Sequence, residues 1–245
     1  MNDPKSKRPD QPPQESMRSP IRPSPPPAPE NSPKPTPPQP SPEVESPTTS
    51  GNALNSLRQK MEIVADEFAQ GKMNRAQFNA VYKRYSEQRS IIERLVERNP
   101  DSEAWKQVIG VKGQTGFLRH HFEAQALYYA VYHRSSPKPI MTGGKTAPDA
   151  TVIIPLLKSI WTMKNRPKQA LGRKQVGDTN WLLLAIGDHA ATAVMFSLEP
   201  SNAQSRLVRD LHADFERANQ AALSRGWIVP ERMVFPQRAL VEGGF

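Results

Sequence analysis

The string Pro139-Ile-Met-Thr-Gly143-Gly144-Lys145-Thr146 has the spacing of reactive machinery. It fits the phosphate-binding pattern G-x-x-x-x-G-K-[ST] at every fixed position except the first, where proline stands for glycine. Such a loop holds phosphate on backbone N–H groups, at a point where a buried strand bends straight into a helix. Proline at the first position supplies no donor and fixes its own φ. Ser135 to Pro139 reads as a turn rather than a strand, and Pro148-Asp149 separates Thr146 from the next helix. Leu182-Leu-Leu-Ala-Ile-Gly-Asp188 has the pattern of an apolar strand ending in a magnesium-holding acid, but without the loop it reads as sheet core. The expectation is a short strand ending in an ordinary Gly-Gly turn, with no nucleotide hydrolysis.

The other residues with chemical potential are equally unassembled. The histidines are His120, His121, His133, His189 and His212. Asp210, His212 and Asp214 look like a metal cluster on paper, yet helical residues two apart point about 200° away from each other. His212 then faces away from both acids, and this helix face is expected to be solvated. Asp188-His189 reads as turn chemistry between two strands. No G-x-S-x-G, H-E-x-x-H or dinucleotide glycine fingerprint occurs. The absence of cysteine excludes disulfides, thiolate nucleophiles and cysteine metal sites. The chain is expected not to be an enzyme and to need no cofactor and no metal.

One electrostatic feature stands out. Lys158, Lys164, Arg166, Lys168, Arg173 and Lys174 follow one another with no acidic residue between, interleaved with Trp161. They are candidates for meeting an acidic protein partner, nucleic-acid phosphates or an anionic membrane surface. A solvated loop between helix and strand is the bland alternative. Nucleic acid stays open but unfavoured, because no aromatic platform accompanies the charges.

The elements that must carry these residues begin late. Residues 1 to 51 hold 17 of the 26 prolines, six basic and six acidic residues and five apolar ones, too few to offset the entropy of ordering them. This arm reads as a disordered polyproline-type spacer with six Ser-Pro or Thr-Pro pairs open to phosphorylation or docking. The net charge of +9 therefore belongs to the rest, with 27 basic against 18 acidic residues.

From Asn52 the period becomes helical. Leu54, Leu57, Met61, Val64 and Phe68 form one seam, and Phe78, Val81, Tyr85, Ile92 and Leu95 form another, with Gly71 and a capping pair Asn74/Gln77 between them. Residues 52 to 98 are read as an antiparallel, coiled-coil-like hairpin. Two helices bury both seams poorly alone, so Leu57, Met61, Phe68, Phe78, Val81 and Tyr85 are candidates for self-association, unless the following domain covers them. The turn Gly71-Lys-Met-Asn74-Arg-Ala-Gln77-Phe78 resembles that of the short C-terminal domain family, although Arg75 and Ala76 replace its usual acids. That resemblance implies self-association.

Residues 102 to 226 read as an α/β sandwich, with 227 to 245 as an extension. Ser102 to Ile109 is a short helix around Trp105, and Gly110, Gly113 and Gly116 make a flexible join. Phe122 to His133 alternates as a strand, Pro139 to Thr142 pairs with it, and a helix starts near Ile153 or Ile154 so that Pro155 falls in its first turn. Strands follow at Lys174–Gly177, Trp181–Ile186 and Ala191–Leu198. A helix of about twenty residues is capped by Ser201 and Gln204 and buries Leu207, Leu211, Phe215, Ala218 and Ala222. The fold class is α+β: a five-stranded antiparallel sheet with flanking helices, plus the N-terminal helical hairpin and the disordered tail. The order of elements in residues 117 to 223 resembles a roadblock/longin-like domain of the profilin-like sandwiches, and is close to a GAF domain. The roadblock resemblance implies dimerisation and docking of small GTPases or larger assemblies. The GAF-like alternative implies a small ligand, with Phe122, Tyr128 and Tyr132 as pocket lining or, as expected here, core. No signal peptide or membrane-spanning run is read, so a cytoplasmic interaction protein that forms a homodimer and binds a protein partner is expected.

Overall fold

A computed structural model describes residues 49–110, 113–145, 147–164 and 170–242. The proline-rich arm up to residue 48, with its Ser-Pro pairs, and Thr146, Arg166 and Lys168 lie outside the described residues. The first helix, α1, is Ser50–Ala69, and it starts two residues before the expected Asn52 because the Thr49 hydroxyl caps it, accepting from the Asn52 N–H at 3.2 Å. Gly71, at φ 71°, turns the chain into α2, Arg75–Arg98. The Asn74/Gln77 capping box forms as its sequence dictates: Asn74 Oδ1 accepts from Gln77 N at 2.8 Å and Gln77 Oε1 from Asn74 N at 2.9 Å.

The hairpin is closed within the chain. Helix α3, Trp105–Ile109, sets Trp105 against Ala53, Leu57 and Ile92, and α4, Gln114–His121, brings Leu118 to Val64, Met73 and Val81. The polar seam position Gln88 is buried, and its amide donates to the Val108 carbonyl at 3.0 Å. Helix α4 replaces most of the expected flexible join. It also removes Phe122 from the following strand, because the chain there is still leaving a helix.

The strands are β1 Ala126–His133, β2 Pro139–Gly144, β3 Ala170–Val176, β4 Asn180–Ile186 and β5 Ala190–Phe196. They make one antiparallel sheet in the order β2-β1-β5-β4-β3. Relative to expectation β1 starts at Ala126, β2 runs on through both glycines, and β3 lies four residues earlier at its start. Helix α5, Ala150–Thr162, crosses from β2 to β3. It begins a turn earlier than expected because Asp149 caps it, accepting from Thr151 N at 2.9 Å. Pro155 therefore sits inside the helix, on its exposed side, where water can take the carbonyl that the ring leaves unpaired.

Each sheet face has its own core. One face buries Ala130, Tyr132, Leu182, Leu184, Ile186, Ala191 and Ala193 under Ile153 and Leu157 of α5. The other buries Tyr129, Val131, Leu183, Ala185 and Val194 under α6, Asn202–Ala218. The buried stripe of α6 is Ser205, Val208, His212 and Phe215; of the expected residues Leu211 packs at its margin, while Leu207 and Ala218 are exposed. The expected stripe was rotated by a position because the inward residues include a serine and a histidine that hydrogen bonding makes tolerable inside. Asn219 ends α6 earlier than expected: its amide donates to the Phe215 and Val234 carbonyls at 2.9 and 2.7 Å and accepts from Val234 N at 2.9 Å. Helix α7, Gln220–Arg225, follows, then a strap whose Phe235, Gln237 and Leu240 are buried, and α8, Ala239–Glu242, beside β1. Trp227 stays exposed. No helix among the described residues is long and apolar enough to cross a membrane.

Hairpin and sheet form one compact unit, joined at the start of α6. Ser201 and Gln204 make a second capping box, at 3.0 and 3.2 Å, while the Ala203 N–H donates to the Gly71 carbonyl at 2.9 Å. A Cβ on Gly71 would lie 2.5 Å from that of Asn202, and its φ is left-handed. Gly71→Ala should therefore cost about 2–3 kcal/mol in urea unfolding, from backbone strain plus overlap. Adding Asn202→Gly should restore the overlap part and leave about 1–2 kcal/mol of strain.

Candidate functional site

Of the string with phosphate-loop spacing, Pro139–Gly144 is an edge strand. Gly143 pairs with Tyr129 and Gly144 with Tyr128, and no helix follows until Ala150. A Cβ on Gly143 would strike the Tyr129 ring, so glycine here lets an aromatic side chain lie across the edge. Among the described residues, the Gly143 and Gly144 backbone lies in the β1–β2 ladder rather than in an inward-facing nest. The Gly-Gly pair belongs to the strand rather than to a turn.

The basic segment is divided by the sheet. Lys158 and Lys164 are exposed on and just after α5. On β3, Lys174 pairs with Leu182, whose side chain belongs to the α5-side core, whereas Arg173 pairs with Leu183 of the α6-side core. Neighbouring strand residues point to opposite faces. Lys174 thus shares a face with Lys158, while Arg173 reaches round to α6 and donates to Asn202 Oδ1 at 2.6 Å. Arg166 and Lys168 lie outside the described residues.

The six seam residues also divide. Leu57 and Val81 are buried between helices of this chain, and Met61, Phe78 and Tyr85 are half-buried. Phe68 is exposed and stacks on Phe78 at 4.6 Å between ring centroids, and Phe78 meets Tyr82 at 5.2 Å. Phe68, Phe78 and Tyr82 therefore form the part of the hairpin still open to a partner. Of the aromatic face weighed as a pocket lining, Tyr132 is core, and burial pushes its hydroxyl pKa up to about 12. Tyr128 packs on the same cluster, and Phe122 is outside the sheet.

The paper metal cluster resolves into something sequence reasoning missed. Asp210 and Asp214 are exposed, but His212 is 3% exposed and faces the sheet, which corrects the expectation of a solvated face. Its Nδ1 lies 2.9 Å from Thr192 Oγ1, which also accepts from Gln237 Nε2 of the strap at 3.1 Å. One turn on, the Glu216 carboxylate accepts three backbone bonds from the β4–β5 turn: Asp188 N at 3.0 Å, His189 N at 2.8 Å and Ala190 N at 2.8 Å. A Cβ on Gly187 would occupy the carboxylate's position. Val208 and Phe215, four before and three after His212, were the available signal that it lies on the buried stripe. Glu216 had no comparable signal, because its partners are backbone groups 26 to 28 residues away. Among the described residues no group of three His, Asp or Glu is placed to hold a metal ion.

In comparison with known proteins, no family model, curated protein or solved structure matches the chain.

The buried imidazole makes stability depend on pH. Burial lowers the His212 pKa from its ordinary value of 6.5, against the opposing effects of the Glu216 carboxylate and the Ala190 carbonyl. The unfolded chain then takes up this proton more readily than the folded one. The contribution is intact above pH 6.5 and is lost as pH falls from 6.5 towards the lower folded value. Urea midpoints measured across that window should fall with pH in the native chain and flatten in His212→Gln. An equal slope in both proteins rules out His212 as the source.

Proposed function

We propose that this chain is a non-catalytic interaction protein, with a roadblock-like sheet domain that docks an acidic protein segment and a helical hairpin that joins two copies. The reading rests chiefly on β3. It is an outer strand of the sheet, it carries Lys174, and Lys158 stands on the neighbouring helix with Lys164 just beyond its end. An extended acidic segment added to that edge would gain main-chain hydrogen bonds and meet those charges. Small GTPases are the partner class that the roadblock resemblance implies. Support for that resemblance comes from the strand order, from the single crossing helix on one face and from α6 on the other.

A second copy is a poor occupant of the β3 edge. Antiparallel self-pairing about the middle of Ala170–Val176 sets Arg173 opposite Arg173, and like charges directly opposed are destabilising. Self-association is therefore assigned to the open aromatic face of Phe68, Phe78 and Tyr82. Nucleic acid is disfavoured by the division of the basic residues between two sheet faces.

Two measurements test these surfaces separately. Sedimentation of the full chain at micromolar concentration should give a dimer, and Phe68→Ser with Tyr82→Ser should make it a monomer with the helix content of the native chain by circular dichroism. A native chain that stays monomeric sinks the self-association. A photo-crosslinker at Gln175, used in the cell of origin, should give protein adducts that are lost on Lys158→Glu with Lys174→Glu. Adducts that persist in that variant, or that form with nucleic acid, overturn the docking assignment.

A further inference from the structure

We propose that the cavity at the opposite edge of the sheet, where β2 meets the C-terminal strap, binds a small phosphorylated metabolite through Lys145 and Arg238. The cavity holds about 750 Å³, inside the ~300–1,000 Å³ of small-molecule sites. Lys145 leaves the end of β2, and its backbone N–H is fixed on the Leu127 carbonyl at 3.0 Å. Gly144 makes that exit possible: its φ is +95°, and a Cβ there would overlap the same Leu127 carbonyl. Arg238 comes from the strap, so two cations from separate elements line one space. No ion pair among the described residues includes either of them.

The Tyr129 side chain also lines the cavity, although the residue as a whole is buried, and its ring is admitted by Gly143. The Arg238 guanidinium lines the same cavity, and burial raises the phenol pKa, so the group stays protonated. A protonated phenol can donate its hydrogen to a ligand oxygen. Two cations and a phenol match the charge and acceptor oxygens of a phosphomonoester, which carries about −1.5 to −2 near neutral pH. A monocarboxylate would leave one cation uncompensated. Glu242, on the same wall, repels a second anionic group and can accept from a ligand hydroxyl or amine. The class that satisfies every wall is a phosphate ester bearing hydroxyls, a sugar phosphate or a nucleoside monophosphate. Recognition here uses side chains, unlike the backbone nest of a phosphate loop, and it does not depend on the β3 surface.

Calorimetric titration of the full chain with AMP, glucose 6-phosphate and inorganic phosphate tests the assignment, with adenosine, glucose and acetate as partners lacking the phosphate. The expected result is saturable binding of at least one phosphate ester, weakened roughly tenfold or more by Lys145→Ala and by Arg238→Ala singly. Lys158→Ala, at the other edge, should leave it unchanged. Both cations are exposed, so the two variants should melt with the native chain. Binding that survives both substitutions, no binding by any of the three phosphates, or acetate bound as tightly as the esters overturns the proposal.

Discussion

The first turn of α6 has backbone N–H groups that its own helix cannot satisfy, and their partners hold the molecule together. Ser201 takes one and the Gly71 carbonyl takes another, so the turn of the helical hairpin is part of the cap of a helix in the sheet domain. Arg206 adds a bond to the Gln70 carbonyl at 3.0 Å. The Gln204 amide, besides closing its capping box, donates to the Ala124 carbonyl at 2.8 Å and fixes the segment that enters β1. The α2 cap does the same from the other side, with Asn74 donating to the Phe122 carbonyl at 2.8 Å and Gln77 to that of Arg119 at 2.7 Å. Two helix caps thus grip one linker, and two modules that read as separate in sequence become one body.

Buried amides carry most of this specification. Gln88, Asn219 and Gln237 each cross from one element to another at hydrogen-bond distance. A buried amide without a partner costs on the order of 1–3 kcal/mol, so each of these admits few alternative placements of its neighbours. Apolar packing gives the molecule its core, and the amides choose between packings of similar area. His212 belongs to the same set but can take up a proton.

The sheet offers different chemistry at its two outer strands. The β3 edge is an extended outer strand that carries Arg173 and Lys174. The β2 edge ends in two glycines followed by Lys145, beside an open cavity that Arg238 and Glu242 also line. Charge protects β3 from pairing with itself, a common device at sheet edges.

Sequence by itself determined the helical period of α1 and α2, both capping boxes, the five strands, the neutrality of the arm and the failure of Pro139 to begin a phosphate loop. These depend on residues within a turn or two of each other. Only tertiary structure decided which face of α6 is buried, that α3 and α4 close the hairpin, that Arg173 reaches Asn202, and that Glu216 holds the β4–β5 turn. In each case the partners are distant in the chain. The inward position of His212, with Leu207 exposed, shows why: the imidazole is tolerated inside beside the Thr192 hydroxyl, 20 residues away in the chain, and no local pattern carries that information.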